Sequence, residues 1–315
     1  MKSHWGDVFI FLAALLVAAS CGPVPAAAQG KAPRALKVLA VESFLCDIAQ
    51  NVAGSRYKVD TLLPSGMDPH SYEPTPADVV RVAECDVLIV NGGGLEEFLD
   101  RLLKNAGGNH KVIEASEGLA SRTEREGENG ERPEADHHHH EGDAHFWLSP
   151  VNVVKYVQNI RDALSRIDPE GGSVYAANAE AYIARLNELD RWIEEQVAQI
   201  PSEKRLLVTN HESFGYYADR YGFRIVGTIV PSVSTDAAPS ARQLADLIGK
   251  IRQTGAKAIF LETGANPQLP RQVAKETGVR VAELYDHSIT GPDGPAPDYI
   301  SMLKYDTTTI VNALK

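Results

Sequence analysis

Histidine is the residue type with which this sequence could do chemistry. Four of the ten histidines form an unbroken run, His137, His138, His139 and His140, with Glu134, Asp136, Glu141 and Asp143 around it. The run is internal, so it is not a terminal purification tag. Neutral imidazole is the commonest protein donor to zinc, copper and nickel, and such tracts are compositionally rare. The segment reads as an auxiliary, low-affinity metal-capture tract. Closing a floppy tract around an ion costs ordering entropy, so its sites should be weaker than those of a preformed cage.

The remaining informative positions are separated along the chain. His70 lies in Gly66-Met67-Asp68-Pro69-His70-Ser71-Tyr72-Glu73-Pro74, and His145 in Asp143-Ala144-His145-Phe146-Trp147-Leu148. His211 stands two residues after the apolar run 206–209, and Asp286 two residues after 279–284. Singly, each would ordinarily pack or cap an element. Jointly they make a set of three nitrogens and one oxygen, which suits tetrahedral Zn(II). Magnesium and calcium want mostly oxygen. Mn(II) would be better served by two carboxylates and Cu(I) by sulfur. Glu262, closing another apolar run, is either an orienting partner for a ligand histidine or a nearby helix cap. His287, next to Asp286, is a competing donor.

These residues can meet only if particular elements carry them. Short Val-, Ile- and Leu-rich runs at 37–41, 59–62, 86–91 and 112–115, and again at 206–209, 225–230, 258–262 and 279–284, alternate with helical patterns. Continuous apolar runs suit parallel strands buried on both faces, with crossover helices between them. In open parallel sheets ligands bind beyond the carboxyl ends of strands. Two candidates come from each half, which places the site between halves. The halves also echo each other: a helical stretch at 74–83 leads into 86–91, and one at 238–254 into 258–262. Glycines follow both. Gly92-Gly93-Gly94 lacks the Lys-Ser/Thr of a phosphate loop and reads as a turn.

Between the halves, Ile183, Leu186, Leu189, Trp192, Ile193, Val197 and Ile200 recur every three or four residues, which predicts one amphipathic helix over 169–200, stopped by Pro201. Such a helix is a stiff connector. Residues 117–143 carry almost no large apolar side chain and are expected to form a mobile loop.

Composition bounds the function. The chain has 315 residues, 42 acidic and 31 basic, for a net charge of −11. That balance argues against nucleic acid or an anionic membrane as the main partner and is permissive for cations. The aromatic fraction of 7% makes a stacking platform for sugars or bases a poor expectation. Three cysteines are too few for a disulfide scaffold or a cysteine zinc site. The N-terminus has a basic start, a short apolar stretch and small residues through Ala26-Ala27-Ala28, the pattern of a secretory signal over 1–28. Cleavage after Ala28 is favoured over lipidation at Cys21, because the position three before that cysteine is Ala18 rather than Leu. Export makes a Cys46–Cys85 disulfide plausible, the alternative being two separate buried thiols.

The segments Gly66–Pro76 (GMDPHSYEPTP), His145-Phe146-Trp147-Leu148, Thr209-Asn210-His211-Glu212-Ser213-Phe214-Gly215-Tyr216 and Glu283-Leu284-Tyr285-Asp286 resemble the zinc- and manganese-binding extracytoplasmic solute-binding proteins of ABC importers. The resemblance covers nearly all of the mature chain. It implies two α/β lobes, each a four-stranded, mostly parallel sheet flanked by helices, joined by one long rigid helix, with metal held in the cleft by His70, His145, His211 and Asp286. It divides the chain into a signal peptide at 1–28, an N-terminal lobe at 29–168, the linking helix at 169–200 and a C-terminal lobe at 201–315. Manganese members resemble one another in carrying Glu at the third ligand position; His211 there points to zinc, as does the acidic, His-rich insertion. Ser149-Pro150 and Ala238-Pro239-Ser240 replace the Asp-Pro and Glu-Pro-Ser usual in that family.

The implied function is a monomeric periplasmic carrier that captures Zn(II) and delivers it to an ABC permease, with a zinc-donor metallochaperone as a further partner. Two other readings remain at this stage. One is a zinc hydrolase, with an open coordination position and Glu262 or Glu212 as base. The other is an adhesin in which metal is only structural.

Overall fold

The computed structural model describes residues 1–2, 36–122, 142–235 and 237–315. The expected signal segment, Cys21 and the run His137–His140 lie outside the described residues. Within 36–315 the strands are β1 (Val38–Ala40), β2 (Val59–Thr61), β3 (Val87–Val90), β4 (Lys111–Glu114), β5 (Leu206–Thr209), β6 (Arg224–Thr228), β7 (Ala258–Glu262) and β8 (Arg280–Leu284). The helices are α1 (Ser43–Ala53), α2 (Pro76–Glu84), α3 (Leu99–Ala106), α4 (Pro150–Ile167), α5 (Gly172–Val197), α6 (Gly215–Tyr221), α7 (Ala241–Thr254), α8 (Gln268–Thr277) and α9 (Tyr299–Leu314).

The strands form two four-stranded sheets of identical topology, β2-β1-β3-β4 and β6-β5-β7-β8. Every pairing is parallel. The expected strands are present with ends shifted by a residue or two, and the two echoed helix-to-strand units become α2–β3 and α7–β7. In β6 the register against β5 slips at Leu207/Val208. Such a bulge bends the strand next to the loop that carries His211.

Side chains on successive strand residues point to opposite faces, and this sorts the core. Val38, Ala40, Val87 and Ile89 point into a central cluster, whereas Leu39, Val41, Leu88 and Val90 point into an outer one beneath α2 and α3. The second sheet repeats the division. Leu207, Ala258 and Phe260 face the centre; Leu206, Val208 and Ile259 face the outer layer that includes Leu247 and Ile251 of α7. The central cluster is continuous across the inner faces of both sheets.

The long helix is shorter than its apolar pattern suggested. Pro169–Gly171 forms a 3-10 turn, and α5 then runs 26 residues, about 39 Å at ~1.5 Å per residue. It is not a bare strut. Tyr175, Ala179, Tyr182, Leu186, Leu189, Ile193 and Val197 are buried, and α5 packs on α1, α4 and α9. The same apolar stripe that makes the helix amphipathic obliges it to lie inside the molecule.

Cys46 and Cys85 are free thiols, which corrects the expected disulfide. Cys46 packs against the central cluster and donates to Val59 O at 3.4 Å, while Cys85 belongs to the outer cluster on the other face of the sheet. Burial pushes the Cys46 thiol up to about 12 and the Cys85 thiol up to about 11, so neither supplies much thiolate. Among the described residues no helix is long and apolar enough to cross a membrane.

Candidate metal centre

Each candidate ligand is held by a locally determined turn. The segment after β2 is locked downstream by Thr75, which forms a capping box with Asp78 at the start of α2, with Pro76 in the first turn. Tyr72 donates to the same Asp78 at 2.8 Å. Upstream, the His70 amide donates to Asp68 Oδ1 at 2.9 Å. His145 repeats the device, its amide donating to Asp143 Oδ1 at 3.0 Å. Both histidines therefore follow an Asp by two residues, the spacing at which a carboxylate bonds the backbone two positions on. His211 is fixed from β5, where Thr209 Oγ1 donates to its carbonyl at 2.7 Å. The Gly92-Gly93-Gly94 turn has φ of 83°, 64° and 87°, and a Cβ on Gly93 would stand 2.7 Å from Phe146, beside His145. It is a turn that makes room for the His145 segment.

Tertiary contacts bring these turns together. His70 Nε2 lies 3.2 Å from His145 Nε2, which lies 3.1 Å from His211 Nε2. All three side chains are buried, His145 and His211 completely. Two donors at ~2.0–2.1 Å from a tetrahedral zinc stand about 3.3–3.4 Å apart, so the observed spacing suits a shared ion. A small cavity of about 30 Å³ adjoins His70 and His145. The larger cleft, about 290 Å³, lies beside Arg122, Asp219 and Lys250 and includes none of these imidazoles.

The structure also brings in His287. One ligand atom each from His70, His145, His211 and His287 lie within 4.8 Å of one another, and a second group unites His211, Glu262 and Asp286. Asp286 is buried next to the imidazoles, but its donor atoms belong to the second group. Glu262 Oε1 stands 3.3 Å from His211 Nδ1, on the ring edge away from His145.

Asp143 has a role that its place in the acidic tract did not reveal. Its Oδ1 contacts His145 Nδ1 at 2.9 Å. That contact puts the proton on Nδ1 and leaves Nε2 free to bind a metal. Its Oδ2 faces Arg122 at 3.4 Å, and Arg122 and Asp143 form an antiparallel bridge. Tyr216 donates to Asp143 O at 2.8 Å and accepts from Arg122 N at 2.9 Å. The Asp-x-His spacing is the signal from which Asp143 was readable.

Further contacts tie the halves together around the centre. Gly66 N donates to Ser288 Oγ at 3.0 Å, Ile289 N to Ser43 Oγ at 3.0 Å and Trp147 Nε1 to Asp286 O at 2.6 Å. Tyr299 Oη donates to Trp147 O at 2.6 Å, and the Trp147 ring stacks on Phe44.

The imidazoles differ in proton affinity. Burial, then repulsion from His287 and His211, holds His70 well below the usual histidine range. Burial, then His211, His70 and His287, does the same to His145. Burial also opposes charge on His211, but Glu262 and then Asp286 and Asp68 outweigh it and bring it up to about 9. Near neutral pH two donors are therefore free of protons, while the third carries one that an incoming cation must displace.

Residues 38–313 match the family described as "Zinc-uptake complex component A periplasmic". The chain is 34% identical over 307 residues to the manganese-binding lipoprotein MntA of Halalkalibacterium halodurans, with 97% of each covered. Among solved structures it is similar to the Mn-bound periplasmic metal binding protein of Candidatus Liberibacter asiaticus, at 30% identity and a TM-score of 0.76, covering 89% of this chain and 100% of that one. It is similar also to the periplasmic zinc binding protein TroA of Treponema pallidum, at 26% identity and a TM-score of 0.77, covering 89% and 99%. The paired parallel sheets and long helix are the fold of these proteins.

Proposed function

Because the chain belongs to the family of periplasmic zinc-uptake complex component A proteins, we propose that it captures Zn(II) as cargo and hands it to an ABC permease in the membrane. The observation that carries this reading is the convergence of His70, His145 and His211 from both sheets, their Nε2 atoms 3.1 and 3.2 Å apart in a buried pocket. The fourth donor comes from Asp286-His287, after β8, and Asp286 is the residue the family resemblance assigns. Glu262 acts on His211 from the far edge of its ring, as a positioning group.

The relatives are named for manganese as well as zinc. Zinc is favoured here by the donor chemistry: imidazole suits zinc, whereas carboxylate and water suit manganese. His137, His138, His139 and His140 would add weaker sites that raise the local metal supply or accept it from a donor metallochaperone. The carrier acts as a monomer outside the cytoplasmic membrane. The leader sequence favours release after Ala28, whereas the lipoprotein name of the Halalkalibacterium relative favours a tether through Cys21. Incorporation of labelled palmitate in cells, lost on Cys21→Ser, would identify the tethered form.

The test is competitive titration of purified, metal-stripped protein with Zn(II), Mn(II) and Cu(II), repeated after replacing residues 124–140 with a short Gly-Ser link. One tight zinc site should survive the deletion and the weaker sites should vanish. A tight site that disappears with the tract, or manganese bound more tightly than zinc, would overturn the assignment.

A further inference from the structure

Resting on that reading of the site, we propose that His287 is itself a metal donor, completing an all-imidazole set with His70, His145 and His211, and that Asp286 acts behind it as a positioning residue. The geometry sorts the donors by element. His287 Nδ1 lies 3.1 Å from Asp286 Oδ1, and the same oxygen accepts the His287 amide at 2.7 Å. Those two contacts fix the ring and assign the Nδ1 edge to the carboxylate. Nε2 of His287 is buried and has no hydrogen-bond partner among the described residues. A buried, unpartnered imidazole nitrogen is costly unless something binds it. The ring stacks on His211, with centroids 5.1 Å apart and planes at 27°, and meets His70 edge-on at 5.2 Å.

His211 is the divider. Its Nε2 faces the His145 nitrogen, and its Nδ1 faces Glu262. His287 groups with the other three imidazoles, whereas the carboxylates of Glu262 and Asp286 group with His211 alone. Asp286 Oδ1 is taken up by the His287 ring and amide, which is the contact of a polarising carboxylate, while its Oδ2 is buried without a hydrogen-bond partner among the described residues. A four-nitrogen set selects Zn(II), Co(II), Ni(II) or Cu(II) and penalises Mn(II), which takes oxygen. His287 is thus a specificity-determining residue for the cargo.

The test compares the wild-type chain with His287→Ala, His287→Gln and Asp286→Asn, each metal-stripped and then loaded with Zn(II), Mn(II) or Co(II) alone. Zinc X-ray absorption on the wild type should count four imidazoles. Both His287 variants should lose at least about 100-fold in zinc affinity, change the visible spectrum of the cobalt form and narrow the zinc-over-manganese ratio by about tenfold or more. Asp286→Asn should lose about 10–100-fold, the usual cost of removing a ligand's supporting partner, and keep the four-imidazole count. Melting of the metal-free variants checks that each folds, and His287→Gln retains most of the side-chain volume. Three imidazoles plus one oxygen in the wild type, with His287→Gln binding zinc as tightly as the parent, would overturn the proposal while leaving the carrier reading intact. A wild-type protein that binds no zinc would overturn both.

Discussion

The two sheets place a pair of buried ionisable side chains at the same position and use them differently. Glu42 lies two residues beyond β1, as His211 lies two residues beyond β5. Glu96, in the turn after β3, and Glu262, closing β7, are the respective partners. In the second sheet the pair is of unlike type, and Glu262 draws a proton onto His211. In the first it is of like type. Burial, then repulsion by Glu96, raises Glu42 well above the carboxylate range, and burial brings Glu96 up to about 7. Neither Glu42 oxygen has a hydrogen-bond partner among the described residues, while Glu96 accepts from the Asn91 and Gly92 amides at 2.5 and 3.2 Å. Two coupled carboxyls in one dry site retain a proton. A histidine with a carboxylate behind it gives up its proton to a cation. The fold supplies a buried place beyond the central strands, and side-chain type decides whether a proton or a metal settles there.

The contrast is broken most directly from the metal side. His211→Ala should weaken zinc binding by ~1,000-fold or more, because it removes a donor, whereas Glu42→Gln should leave zinc affinity within about threefold. Competition against a chromophoric chelator measures both, and a comparable loss in the two variants would erase the distinction.

The proton side is read by stability. Glu96 binds its proton more tightly in the folded chain than at its usual value of 4.5. Folding therefore favours the protonated form, and metal-free stability should fall as pH rises from about 4.5 through 7. A shift of that size corresponds to about 3 kcal/mol. Glu42→Gln, which removes the like charge, should flatten the dependence in urea titrations at pH 5 and pH 8. An unchanged slope would show that the two carboxyls are not coupled.

A smaller loss is expected behind the ligands. Asp143→Asn and Glu262→Gln should each cost about 10–100-fold in zinc affinity, because each orients one histidine without coordinating. Only Glu262→Gln should change the proton balance. With His211 up to about 9, zinc uptake by the parent at pH 7.5 should release close to one proton, and affinity should rise about tenfold per pH unit up to about 9. Proton release in weakly buffered solution checks this. Parent and Glu262→Gln proteins with equal release would refute the role given to that carboxylate. The dependence reaches higher than the unperturbed histidine value of ~6.5 would allow, because burial and charge pull His70 and His145 one way and His211 the other.

Much of this was legible along the chain. The apolar runs announced eight parallel strands because strands buried on both faces need no polar alternation. His70 and His211 follow the runs 59–62 and 206–209, and an Asp two residues before His70 and His145 is written in the chain, although it was not read there as a support. The pairing of Cys46 with Cys85 failed as an expectation because the face of a sheet on which a side chain lies depends on packing. His287 was readable as a rival to Asp286, but which of the two would join the imidazole group was not.

The sequence by itself determined the element types, their order and the stock of nitrogen donors, since these follow from local periodicity and side-chain chemistry. Tertiary structure alone decided that α5 lies within a core shared by both sheets, and that His287 joins the other imidazoles while Asp286 groups with His211 and Glu262. Those outcomes depend on ångström-scale distances between residues far apart in the chain, and such distances are set by how buried surfaces fit together.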